Sequence, residues 1–186
     1  MPAFYLTLIA VLLAGIGARG QMTIAGLARA QGARPGVLIV ALVSAVLTAL
    51  LAAWAAHAVL AELPPPARMV FAAMALGLAG LESLALAPRR DDPREPTRSL
   101  GALALVLLAQ QVTDAARFLI FGMGVGLAAP IASGAAGVLG GAVLAGAAWA
   151  FPQVSGMSAV RWIRRTAGGL LAIAALVLFL SQIGIL

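Results

Sequence analysis

The sequence predicts an all-α fold, a polytopic membrane protein whose six transmembrane helices form two inverted three-helix repeats. Three observations lead there. Hydrophobic residues make up 63% of the 186 and charged residues 10%, with a mean hydropathy of +1.07, well above that of soluble globular domains. The apolar residues fall into runs near the length of about 20 that a helix needs to cross a hydrocarbon core, separated by short polar or proline-bearing breaks. The two halves also echo one another. "AAWA" stands at 52–55 and again at 147–150, 95 positions on, and the same 95 positions separate Pro35 from Pro130, each opening the middle span of its half. Three spans per repeat is an odd number, so the second copy enters the membrane from the opposite side.

Taken in order, the first span runs from about Ala3 to Ala28. "MPAFYLTLIA" carries no side-chain charge and the apolar run is longer than the core of a cleaved signal peptide, so it reads as a retained helix. The second span, Val37 to Leu60, follows "RAQGARPG" and stops at "AELPPPAR"; the third is Met69 to Ala87. The fourth, Leu100 to Met123, ends in "GVGLAA", the fifth, Pro130 to Phe151, in "PQVSGMS", and the sixth is Trp162 to Gly184. Each break holds Gly or Pro, where a helix stops. Helical spans follow because lipid cannot satisfy an open backbone. Residues 1–88 then form the first repeat and 99–186 the second, joined by a charged loop at 89–98. The longest polar stretch, "PRRDDPREPTRS", is too short to hold a core, so any activity lies in the membrane.

The net charge of +6 reports topology rather than a nucleic-acid partner. Nine arginines, Arg29, Arg34, Arg89, Arg90, Arg94, Arg98, Arg161, Arg164 and Arg165, fall on one face of the six-span arrangement, and only Arg68 on the other. The positive-inside rule puts the nine in the cytoplasm and both termini outside, in the cell membrane, the inner membrane if the source is bacterial. The absence of cysteine excludes disulfides, thiolate metal ligands and cysteine nucleophiles. No nucleophile, base and orienting group converge, so an enzyme is not expected, and no cofactor is implied.

The polar residues near mid-span form the candidate site: Arg19, Gln21 and Thr23 in "ARGQMT" of the first span, and Gln110, Gln111, Thr113, Asp114 and Arg117 in and after "QVTDAA" of the fourth. At an offset of 93, Gln21 aligns with Asp114. A charge at a helix centre costs about 2.5 to 3.5 kcal/mol on insertion scales, so these charges need partners or water. Inverted repeats of this kind are typical of secondary transporters, with the site at the midplane. The expected arrangement has Arg19 pairing with Asp114 across the repeat interface, with Arg117, three residues further along the same face, competing for that carboxylate.

These motifs resemble those of the Gdt (transmembrane-protein-165) family of the lysine-exporter superfamily, of calcium/proton antiporter-2 type, which carries E-x-G-D-[KR]-[ST] in the first helix of each half. In "ARGQMT" Gly20 and Thr23 match, while Ala18, Gln21 and Met22 replace Glu, Asp and the base; in "QVTDAA" only Asp114 matches, with Gln111 and Thr113 in place of Glu and Gly. The resemblance extends through "ARAQGARPGVLIVALVSAV" to the closing "RWIRRTAGGLLAIAALVLFL". It implies exchange of Mn²⁺ or Ca²⁺ against protons, with Asp114 as the ion- or metal-binding carboxylate, Gln21, Gln111, Thr23 and Thr113 as neutral ligands, and Gly20 permitting close helix approach. The alternative is a non-transporting structural or partner subunit, paired with a homologous chain, whose cation site an Arg/Asp pair has replaced. A further option is an altered substrate, because Arg19 and Arg117 favour an anion.

The remaining polar and small residues have plain structural readings. Glu82, about one and a half turns before Pro88, is expected to reach toward the cytoplasmic interface and Arg89. His57 reads as an interfacial residue, and Tyr5, Trp54, Trp149 and Trp162 as span-end anchors. Gly122 with Gly126, and Gly137 with Gly141, have G-x-x-x-G spacing, read as packing within the chain.

Overall fold

The structure, a computed structural model, describes residues 2–85 and 99–185. The charged loop at 89–98, with its four arginines, and the end of the third span at Ala87 lie outside the described residues. Those residues form eight α-helices: α1 (Pro2–Gly15), α2 (Arg19–Gln31), α3 (Pro35–Glu62), α4 (Pro65–Ala85), α5 (Leu100–Val112), α6 (Ala115–Gly126), α7 (Pro130–Ala150) and α8 (Ser158–Gln182), with a short 3₁₀ turn at Val154–Gly156. No strand occurs among them. Four helices, α3, α4, α7 and α8, are each long and apolar enough to cross a membrane, and the pairs α1–α2 and α5–α6 each qualify when joined. These are the helices of a membrane-embedded chain, and their outward faces carry large apolar side chains such as Leu47, Leu51, Leu105 and Leu170.

The segments predicted as the first and fourth spans are each broken rather than continuous helices. α1 and α2 meet at 58° and α5 and α6 at 50°. Gly17, at φ +71°, turns the chain after α1 with a conformation that only glycine adopts without strain. At the second break Thr113 and Asp114 interrupt the ladder, and Asp114 becomes the N-cap of α6. Proline at the first positions of α3 and α7 suits a helix start, where the missing N–H has no intrahelical partner.

Packing runs mainly between the two halves of the chain. α4 lies along α8, α3 along α7, α4 along α6 and α1 along α7. The α4–α8 contact is backbone to backbone: a Cβ on Gly80 would stand 2.8 Å from the Ala172 amide nitrogen and 2.9 Å from the Gly168 carbonyl oxygen. The G-x-x-x-G pairs pack within the chain, Gly122 and Gly126 against Ala75 and Ala72 of α4, and Gly137 and Gly141 against Ile120 and Ala45. One end of the bundle gathers several turns. Arg29 Nη1 donates to the Pro152 carbonyl at 3.0 Å and Trp149 Nε1 to that of Arg34 at 3.0 Å, so the α2–α3 and α7–α8 connections adjoin. Leu100 at the start of α5 packs over Gly36 at the same end.

Candidate functional site

Both helix breaks open onto one small cavity of about 30 Å³, enough to hold water. Ala18 and Asp114, the N-caps of α2 and α6, both line it, so the amino ends of two helices and their partial positive charge meet there. Gln21, Gln111 and Arg117 complete its polar wall. The helix starts fix how the breaks correspond: Arg19 and Ala115 open their helices, so Ala18 aligns with Asp114, and Gln21 with Arg117 as third residues. Counted this way the two breaks stand 96 positions apart, against the 93 of the motif alignment.

A break leaves backbone groups with no partner in the helix, and in an apolar interior each must find one. Side chains supply them here. Arg164 of α8 donates from Nη1 to the Gly17 carbonyl at 2.7 Å, and Arg19 from Nη2 to the Thr113 carbonyl at 3.1 Å and its hydroxyl at 2.9 Å. Gln21 accepts from the Gly17 amide through Oε1 and donates from Nε2 to the Leu144 carbonyl at 3.2 Å, tying the first break to α7. Arg117 does the same for α3, donating to Thr48 Oγ1 at 2.8 Å, to the Ala45 carbonyl at 3.3 Å and to Gln111 Oε1 at 2.8 Å. The Thr48 hydroxyl stands 2.8 Å from the Ser44 carbonyl and 3.0 Å from Gln111 Oε1 with one proton for the two, so the amide oxygen expected as a cation ligand is already taken by Arg117.

Asp114 differs from its neighbours. It is 6% exposed, makes no capping hydrogen bond, and its Oδ1 has no hydrogen-bond partner among the described residues. The expected Arg19–Asp114 pair does not form, nor does an ion pair of Arg117 with Asp114: both guanidiniums turn to carbonyl, hydroxyl and amide oxygens. Arg19 instead approaches Glu82, with Nε 3.7 Å from Oε1. Glu82 is itself a correction. It does not reach toward an interface but is buried, because α4 turns this residue toward α8, where it pairs with the buried Arg164. The two ion pairs run Arg164–Glu82–Arg19, ending on Thr113 beside Asp114. With every group ionised, three guanidiniums face two carboxylates, and the helix amino ends add to the positive side.

The candidate ligands therefore separate. Gln21, Gln111 and Asp114 adjoin the cavity, whereas Thr113 serves Arg19 and Thr23 bonds the Arg19 carbonyl and Gln110 Oε1, each at 3.1 Å. Gly20 faces Gln111 and Leu107 with room for a methyl group at ordinary contact distance, so the approach there does not require glycine. Among the described residues no group of three or more His, Asp or Glu stands together as a metal site. Glu82, Arg164 and Thr48 are the members that the sequence reading missed. A lone acid in "LAGLESLALA" was the available signal for the first, and the i, i+4 pair Ser44 and Thr48 within an apolar helix for the last. No family model, curated protein or solved structure matches the chain.

Proposed function

We propose that the chain is a secondary transporter of the Gdt type, six spans in two inverted repeats, that moves a cation through the cavity between its helix breaks. The observation that carries this reading is the pair of bent helices, 58° and 50°, whose amino ends meet at one buried polar point. Broken spans around a midplane site are the usual construction of inverted-repeat transporters. Like-with-like packing, α3 with α7 and α4 with α8, agrees with a two-fold relation between the halves. The chemistry of the site narrows the cargo. One carboxylate among an excess of guanidiniums compensates a divalent ion poorly, which speaks against Mn²⁺ and Ca²⁺. A proton adds one charge rather than two and needs no shell of ligands, and Asp114 offers it an unpartnered Oδ1 beside the cavity. Proteoliposomes holding a pH reporter and a Mn²⁺- and Ca²⁺-sensitive dye test the reading: proton flux that Asp114→Asn abolishes supports it, and flux unchanged by that substitution ends it.

The second reading, a non-transporting structural or partner subunit, draws on the Arg164–Glu82–Arg19 chain, which binds three helices together beside the cavity. It expects no flux from the folded wild type, and co-purification with a homologous chain.

A further inference from the structure

A second cavity lies on the outer side of Arg117. It is an apolar groove of about 360 Å³ between α3, α4 and α6, walled by Leu51, Phe71, Met74, Leu78 and Phe118, several of them half exposed on the outer surface of the bundle. That volume falls within the range of about 300 to 1,000 Å³ of small-molecule sites, which are mostly apolar with a few convergent polar groups. Here those groups are Thr48 and Arg117. Arg117 lines the central cavity as well, so this residue stands between the two spaces. Its Nε and Nη2 are engaged by Thr48, Ala45 and Gln111, whereas Nη1 donates to none of the described residues.

We infer that this groove binds a membrane-soluble organic acid, an apolar chain with one carboxylate, the carboxylate meeting Arg117 and the chain lying along α3 and α4. Charge complementarity selects an anion, because a guanidinium this far from water beside an apolar groove is stabilised by an oxyanion. Depth selects a free acid over a phospholipid. Thr48 is midway along α3 (Pro35–Glu62), about 20 Å from either end at 1.5 Å per residue, whereas a phospholipid head stays near the boundary of a core about 30 Å thick. A single-chain acid has no such tether. The inference concerns the groove and holds whether or not the central cavity transports a proton.

Radiolabelled dodecanoate is the probe, with the purified chain in nanodiscs of zwitterionic phosphatidylcholine and empty nanodiscs as the blank. Saturable binding is expected, with dodecanol at least about tenfold weaker. Arg117→Gln is expected to remove the preference for the acid. Because that substitution also disturbs the Thr48 and Gln111 bonds, Ala55→Trp gives an independent test: it fills the groove from α3 without touching the guanidinium, and is expected to abolish binding. Equal binding of dodecanol and dodecanoate overturns the inference. So does wild-type binding by Ala55→Trp, or displacement of dodecanoate by phosphatidylglycerol added to the discs, which would make the groove a phospholipid site.

Discussion

Arg164 reaches from α8 to the carbonyl of Gly17, 2.7 Å away, and so closes the end of α1 from 147 positions further along the chain. The same guanidinium holds Glu82. Removing it leaves a buried carboxylate whose remaining partner, Arg19, is 3.7 Å away and partly exposed. Arg164→Met is therefore expected to lower stability by about 3–5 kcal/mol, read as a thermal or denaturant transition in detergent. Arg164→Met combined with Glu82→Leu removes both charges and is expected to recover much of that loss. A double variant as unstable as the single one would assign the effect to the Gly17 carbonyl alone.

Two adjacent glycines of α8 should respond in opposite ways. A Cβ on Gly168 would press on Ser83 and on the Gly80 carbonyl oxygen, whereas Gly169 has nothing within 4 Å. Gly168→Leu is expected to destabilise by about 1–3 kcal/mol through overpacking, and Gly169→Leu by no more than about 0.5 kcal/mol. Similar melting temperatures for the two variants would mean that α4 and α8 do not meet at this face.

Thr48 accepts from Arg117 Nε at 2.8 Å and has one proton for the Ser44 carbonyl and Gln111 Oε1. Thr48→Val is expected to leave Arg117 Nε without its acceptor and to lower stability by about 1–3 kcal/mol. Thr48→Ser, which keeps the hydroxyl, should retain most of it. If the valine variant melts with the wild type, the network around Gln111 is not formed.

The lack of cysteine makes topology directly measurable. Gln31→Cys and Gln153→Cys sit at the end of the bundle where Arg29 meets Pro152, and Glu62→Cys at the far end of α3. An impermeant maleimide added to intact cells is expected to label Glu62→Cys and spare the other two until the membrane is opened. The reverse pattern would put the termini inside, against the arginine count.

The long apolar helices were legible because their signal is local: length and apolarity suffice, and Pro35 and Pro130 mark two helix starts in the sequence itself. The breaks were not, because "AGIGARGQMTIAGLA" remains apolar enough to continue as one helix. What divides it is the left-handed turn at Gly17, held by a guanidinium from α8. The paired glycines Gly15 and Gly17, and the Thr-Asp step before "AARFLIF", were the available signals. Asp114, Gln21, Gln111 and Arg117 stood out as polar groups in apolar runs, and the cavity gathers all four. The pairing among the charges was not readable. Arg19 was matched to the acid nearest in the aligned motifs, whereas the geometry gives it Glu82, a residue that looks in sequence like the frayed end of a span.

The ion pair between α4 and α8 also has a consequence for how the chain is made. Glu82 emerges from the ribosome 82 residues before Arg164, and among the described residues of the first half it finds only Arg19, a weak and partly wetted partner. A span carrying an unneutralised acid partitions poorly into lipid. The third span is therefore expected to wait at the insertion machinery, or at the membrane surface, until the last helix arrives. Biogenesis would then be nearly all-or-none, with truncation before α8 leaving not half a bundle but a nascent chain marked for degradation.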